Sequence, residues 1–262
     1  LDLAVEEGIQ GVPISIDQLV DDGVDATLAP LQARGLTVCQ IGAFGYNPLS
    51  TDREAQARQT ALLEKAIPLA AATGCPYIVI CGGNYHPSGF GAGDRRNFTD
   101  EALDEIAESL TPLLRMAEDN EVKLSIEPYL KTAIHSPARF LALWGRVQSD
   151  ALRVNIDPTS LYDYWDLWNP QATVERVCTD LAGHYGLVHV KEVALDEGFH
   201  IHAGLAPLGE GPTDWGQMLG LIAPHIPDDS WVILEHVQTA EEGRASLALL
   251  RAAAEAAGVT LQ

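Results

Sequence analysis

Basic residues are scarce in this chain. Lys and Arg number 16 against 37 Asp and Glu, a formal net charge of −21. A surface of that sign repels a phosphate backbone, so nucleic acid is not an expected partner. Cysteine is scarce too. Cys39, Cys75, Cys81 and Cys178 are the four thiols, with no CxxC pair among them. That excludes a disulfide framework and fits reduced thiols in a cytoplasmic protein. Long apolar runs are missing as well. The nearest, IPLAAATGCPYIVICGG (67–83), is broken by Pro and Gly, whereas a membrane span needs about 18 continuous apolar residues. Neither a membrane span nor a signal peptide is expected.

What the chain does have is a recurring short run rich in Val and Ile. GIQGVPIS (8–15), GLTVCQIG (35–42), PYIVICGG (76–83), VKLSIEP (122–128), LRVNIDP (152–158), GLVHVKEV (186–193) and WVILEHV (231–237) are seven such runs. Ala- and Leu-rich stretches with helical spacing separate them. Thr99 and Ser136 stand where helix starts are expected, and Gly74 and Gly258 where helices end. Strands alternating with helices predict βαβ units around a parallel sheet. Strands recur every 27–46 residues without a Gly-rich dinucleotide turn, which favours a (β/α)8 barrel, a TIM barrel, over an open doubly wound sheet. Residues 1–262 read as a single domain of that fold. Only seven strands can be counted, and LDLAVEEG opens the chain as a helix ending in glycine. The expectation is that the first strand lies upstream of residue 1.

VKLSIEP and LRVNIDP are nearly the same pattern, and each ends on an acid followed by proline. At the C-terminal ends of barrel strands such side chains face the active site. Glu127, Asp157, His189 and Glu235 therefore converge from four successive strands, 30, 32 and 46 residues apart. Three carboxylates meeting without a counter-charge repel one another, and a divalent cation relieves that. Oxygen-rich ligation with one imidazole suits Mn2+, Mg2+ or Co2+.

In order and spacing, GLTV, SIEP, NIDP, HVKE, PLGEGPTDW (207–215) and ILEH resemble the xylose isomerase-like TIM barrel superfamily, also called the sugar phosphate isomerase/epimerase family. The resemblance covers essentially the whole chain. It implies Glu127, Asp157, His189 and Glu235 as metal ligands, with Mn2+ the first choice and Mg2+, Co2+ or Zn2+ as alternatives. It also implies Glu127 and Glu235 as the catalytic acid/base pair. The expected activity is an isomerase or epimerase that moves a proton next to a carbonyl of a sugar, sugar acid or polyol derivative, through a metal-stabilised enediolate. Two positions depart from the ketose 3-epimerase pattern. Ser160 stands where many carry a histidine, and Leu195 where they carry a substrate-gripping arginine. These departures make a lyase or dehydratase acting on a keto-sugar, keto-glycoside or keto-acid the alternative. An endonuclease-IV-like phosphodiesterase is disfavoured by the few histidines at strand ends and by the net charge.

Four further residues are candidates for substrate binding. Lys191 shares the parity of His189, so it should face the barrel interior one step higher, there either touching substrate or solvated at the rim. His86, in GGNYHP, and His202, in the 194–215 stretch, are candidate contacts to a substrate hydroxyl. That stretch is long enough to serve as a lid. Trp165, in YDYWDLW (162–168), would either wall a sugar pocket or pack over the rim. The expected partner is a small carbohydrate or polyol-derived molecule, and homo-oligomer formation is left open.

Overall fold

The computed structural model describes residues 1–89 and 91–261. Among the described residues nine strands follow in chain order: β1 (Gly11–Ser15), β2 (Thr37–Ala43), β3 (Tyr77–Cys81), β4 (Lys123–Glu127), β5 (Leu152–Ile156), β6 (Tyr185–Val190), β7 (Glu192–Leu195), β8 (Ala203–Ala206) and β9 (Val232–Leu234). The helices are α1 (Asp2–Glu6), α2 (Ile16–Asp22), α3 (Val24–Gln32), α4 (Arg53–Ala72), α5 (Asp100–Asp119), α6 (Pro137–Val147), α7 (Gln171–Asp180), α8 (Trp215–Ile222) and α9 (Ala240–Ala256).

Seven strands form one parallel sheet in the order β1-β2-β3-β4-β5-β6-β9, and β7 and β8 form a separate antiparallel pair. The large sheet curls into a barrel wall whose two edges, β1 and β9, come together at one end. There the Trp231 indole, one residue before β9, lies so close to Gly11 that a Cβ at Gly11 would stand 2.9 Å from the ring. Every residue of β3 is buried, as expected for a central strand with barrel interior on one side and helices on the other.

The helices form where the sequence caps them. Thr99 Oγ1 accepts from Ala102 N at the start of α5, and Ser136 Oγ from Arg139 N at the start of α6, which also carries Pro137 in its first turn. Asp52, Asp214 and Thr239 cap α4, α8 and α9 in the same way. In α5 the buried side chains Leu103, Ile106, Leu110, Leu113, Leu114 and Ala117 recur at helical spacing and press one face onto the sheet. Among the described residues no helix is long and apolar enough to cross a membrane.

The run GLVHVKEV, read above as one strand, is two. β6 ends at Val190, and from Glu192 the chain leaves the barrel to pair with β8. Glu192 explains the departure. Its buried carboxylate accepts from Thr213 Oγ1 (2.7 Å), Trp215 Nε1 (3.1 Å) and Val193 N (3.2 Å). The strand end is thereby latched to the PTDW turn that starts α8. The 194–215 stretch is thus an antiparallel hairpin followed by that turn.

Candidate metal centre

The strand repeat noted in the sequence places the same series of base, polar group and acid on two neighbouring strands inside the barrel, with the β5 series offset by two residues against that of β4. Lys123, Ser125 and Glu127 alternate along β4, and Arg153 and Asn155 along β5 with Asp157 just beyond it. Neighbouring strands pair Ser125 with Arg153 and Ile126 with Val154. Bases sit at the bottom, amide and hydroxyl groups in the middle, and acids at the C-terminal rim. Gly186 of β6 makes the middle layer fit, since a Cβ there would stand 2.1 Å from Ser125 Oγ.

At the rim, Glu127, Asp157, His189 and Glu235 each place one ligand atom within 4.8 Å of all the others. Glu235 is held by its own N–H, which donates to Val190 O at 2.9 Å and prolongs the β6–β9 ladder. The next residue, His236, has φ 57°, a left-handed turn that costs a non-glycine residue about 1–2 kcal/mol. Asp157 is wholly buried. It accepts from Thr159 Oγ1 (2.8 Å) and Ser160 N (3.3 Å) on Oδ1, and from Ser160 Oγ (2.7 Å) on Oδ2.

Lys191 is the addition that the sequence left open. It is 6% exposed, so it is not solvated at the rim. Its Nζ lies 2.5 Å from Asp157 Oδ2, 3.2 Å from Glu235 Oε2 and 3.3 Å from Glu127 Oε1. One ammonium therefore offsets part of the charge of all three carboxylates. Burial opposes charge on Lys191, but the three acids outweigh it and drive its pKa well above the usual lysine value. Burial would likewise raise Glu127 and Glu235, yet His189 and Lys191 pull both below the ordinary glutamate value.

His189 supplies the test of whether a metal fits. Its Nε2 donates to Gln40 Oε1 at 2.7 Å, and the Asn155 amide approaches the same nitrogen at 3.0 Å while accepting from Ser125 Oγ at 2.5 Å. All four side chains are buried. Nδ1 faces Glu235 Oε1 at 3.1 Å and Glu127 Oε1 at 3.8 Å, yet it has no partner aligned for a hydrogen bond. A buried imidazole nitrogen aimed between carboxylates, with the opposite nitrogen fixed by an amide, is how a metal-ligating histidine is oriented. The donor set fits a divalent cation. With a proton on Nδ1 instead, burial disfavours the charge but Glu127 and Glu235 outweigh it, and the pKa is pushed up to about 10.

The other sequence candidates stand outside this cage. His86 is half-buried on the loop after β3, where its Nδ1 accepts from Ser88 N (3.1 Å) and meets Ser88 Oγ (2.7 Å). That loop is fastened by three buried or half-buried asparagines. Asn47 exchanges hydrogen bonds with the Asn84 backbone, and Asn97 Nδ2 donates to Asn84 Oδ1. His202 is largely exposed on the hairpin and paired with Asp196. Trp165 is 80% exposed in a turn after β5. Sequence reasoning did not find Gln40, Ser125 or Asn155, although the last two lie two residues before a rim acid and their parity could have disclosed them.

The model of the xylose isomerase-like TIM barrel family matches residues 1–253. The chain belongs to that family. Among solved structures it is similar to a xylose isomerase-like TIM barrel protein from Mycobacterium smegmatis in complex with magnesium (TM-score 0.74, 17% identity, 97% of this chain and 87% of that one). It is also similar to the 3-keto-D-glucoside 4-epimerase of E. coli (TM-score 0.71, 18% identity, 94% and 90%) and to a probable 3-DHS dehydratase from Bacillus anthracis (TM-score 0.70, 16% identity, 95% and 91%). At these identities the likeness is one of fold. No curated protein matches the chain.

Proposed function

We propose that the chain is a divalent-metal-dependent isomerase or epimerase that moves a proton next to the carbonyl of a sugar or sugar derivative. The observation that carries this reading is the convergence of three carboxylates and an unpartnered imidazole Nδ1 on one point at the barrel rim. A divalent cation, Mn2+ or Mg2+ foremost, held by Glu127, Asp157, His189 and Glu235 would polarise the substrate carbonyl and offset the negative charge that develops on its oxygen. The family likeness and the magnesium-bound neighbour support the cation, and the epimerase neighbour supports the sugar substrate.

Glu127 and Glu235 come from strands on different sides of the cage. Glu127 meets His189 and Lys191 through Oε1, which leaves Oε2 to take a proton from one side of the substrate carbon, while Glu235, whose Oε1 faces His189 and whose Oε2 accepts from Lys191, returns one from the opposite side once Lys191 releases it. Asp157 and His189 act as fixed ligands, the first clamped by Thr159 and Ser160 and the second by Gln40. Lys191 keeps both glutamates ionised, which a base requires. His86, His202 and Trp165, on the surrounding loops, are the proposed outer contacts to substrate.

A lyase or dehydratase of the same fold is the second reading. It is favoured by Ser160 and Leu195, which stand where ketose 3-epimerases carry histidine and arginine. Ser160 Oγ is spent on Asp157, and Leu195 lies in the hairpin, so neither supplies those functions.

Solvent-deuterium incorporation, read by NMR across a panel of keto-sugars and keto-acids with added Mn2+, tests the reading. Deuterium beside the carbonyl of at least one substrate is expected. Loss of a C–O or C–C bond as the net reaction would move the assignment to the lyase. Neither label nor bond loss with any member would overturn both.

A further inference from the structure

Lys191 is the single residue between two sheets. β6 ends at Val190, whose carbonyl accepts from Glu235 N at 2.9 Å, and β7 begins at Glu192, which pairs with Ala206 across the hairpin. The lysine side chain is long and rotatable, so its meeting with three carboxylates depends on how firmly the main chain is held on both sides. The β6–β9 ladder holds one side. Glu192 holds the other.

The hold at Glu192 converges on one hydroxyl. Thr213 Oγ1 donates to Glu192 Oε1 at 2.7 Å and lies 3.1 Å from Tyr162 Oη. A hydroxyl has one proton to give. With that proton on the carboxylate, Tyr162 is the donor to Thr213. Tyr162 directly follows the short turn Pro158–Leu161, in which Thr159 and Ser160 clamp Asp157. Asp157 is in turn the nearest partner of Lys191, 2.5 Å away. Thr213 Oγ1 is thus tied through Glu192 to the Lys191 main chain and through Tyr162 to the Asp157 turn, the two sides of one ion pair.

Tyr162, Glu192, Thr213 and Trp215 are all buried. The clasp is tight as well, since a Cβ on Gly211 would meet Val193 O and stand 2.5 Å from the Glu192 carboxylate. The start of α8 does not account for the Thr213 hydroxyl, because Asp214 Oδ1 already caps that helix by accepting from Gln217 N at 2.9 Å. Fastening the hairpin to the helix does not account for it either. Apolar side chains would do that without burying a carboxylate. Hydrogen bonds to a carboxylate fix direction as well as distance.

We infer that Thr213 is a positioning residue for the rim, the joint that aims the Lys191 ammonium at Asp157, Glu127 and Glu235. The inference rests on the reading above, in which Lys191 keeps both glutamates ionised, and adds a residue outside the carboxylate cage.

Reductive methylation of the full chain in EDTA-containing buffer, read by mass spectrometry with the exposed Lys65 as internal reference, tests it. Wild-type Lys191 should label slowly. Thr213→Val keeps the shape and removes the hydroxyl. A hydrogen bond to a charged group shifts a local opening equilibrium by roughly tenfold or more, so Lys191 labelling should rise by that factor. Thr213→Ser should keep Lys191 protected. Thr173→Val removes a comparably buried hydroxyl, bonded to Asp166 Oδ1 at 2.8 Å from α7, and should also leave Lys191 protected. With Mn2+ and a substrate found by deuterium exchange, Thr213→Val should lower kcat by roughly tenfold and leave KM within about twofold.

Lys191 still protected in folded Thr213→Val, no rescue by serine, or equal exposure in Thr173→Val would overturn the inference. So would an unchanged kcat in a variant whose Lys191 is exposed. Should Thr213→Val not fold, Tyr162→Phe, which severs only the tie to the Asp157 turn, takes its place, and unchanged Lys191 labelling there would overturn the inference. Labelling needs no substrate, so failure of the sugar reading is separable. An exposed Lys191 in Thr213→Val without deuterium exchange by the wild type leaves the positioning and removes the chemistry, whereas exchange with Lys191 protected in the variant does the reverse.

Discussion

Two lysine–carboxylate clusters lie at opposite ends of one barrel. At the bottom, Lys123 Nζ meets Asp229 Oδ2 at 2.8 Å while Tyr77 Oη donates to Asp229 Oδ1 at 2.6 Å, and the aspartate side chain is 48% exposed. At the rim, Lys191 meets three carboxylates with almost no exposure. The lower pair is one acid and one base, with water to share the load, and costs the fold little. The upper cluster crowds three acids beside one lysine and an unpartnered imidazole, and burying charge so unevenly costs stability. A fold that needed only adhesion would repeat the bottom arrangement. The rim arrangement makes sense as a receptacle for a further cation.

Breaking the rim should therefore have larger consequences than breaking the base. The largest effect should come from Glu127→Gln or Glu235→Gln. Each keeps an oxygen able to ligate but loses basicity, and turnover should fall by roughly 10²–10⁴-fold while metal binding persists in part. Steady-state kinetics beside a metal titration of the same preparations would check it. Asp157→Ala comes next. It removes a ligand outright while Lys191 keeps Glu127 and Glu235, and a metal titration should report an affinity loss beyond the roughly 10–100-fold typical of losing a group that only orients a ligand.

Gln40→Ala should leave the ligands in place but free the His189 ring, weakening metal affinity by roughly 10–100-fold in a competition with a metal-binding dye. Per unit of pH the effect is smaller. Because Glu127 and Glu235 push His189 up to about 10, a proton holds Nδ1 through the neutral range and a metal must displace it. Metal affinity should rise by up to about tenfold per pH unit and level off above about 10. In chelated protein the sign is opposite. A raised folded-state pKa contributes stability that is fully present below the unfolded value, about 6.5, and is lost as pH climbs through about 10. Smallest of all, Lys123→Met at the bottom should cost about 1 kcal/mol or less in unfolding free energy and leave kcat unchanged.

The same contrast separates what the sequence disclosed from what it hid. Glu127, Asp157, His189 and Glu235 were legible because strand ends, marked by Val and Ile runs and a following turn, share one rim in any parallel barrel. Lys191 was legible only as a direction, inward, because parity says which way a side chain points and nothing about what it meets. Gln40 was hidden for a similar reason, since its partner His189 is 149 residues away and only the closed fold brings them together. The end of β6 was misread because HVKE continues an alternating pattern, while the chain is turned aside by Thr213 and Trp215 bonding Glu192 from a segment about 20 residues downstream. Local pattern carried the barrel, and non-local polar contacts carried its refinements.

The most direct test of the rim as a metal centre is diffraction from a Mn2+-soaked crystal at the manganese edge. One anomalous peak should lie among Glu127, Asp157, His189 and Glu235, with His189 Nδ1 and carboxylate oxygens at roughly 2.0–2.4 Å. No peak at millimolar Mn2+, or a peak elsewhere with Lys191 Nζ still 2.5 Å from Asp157 Oδ2, would contradict the account.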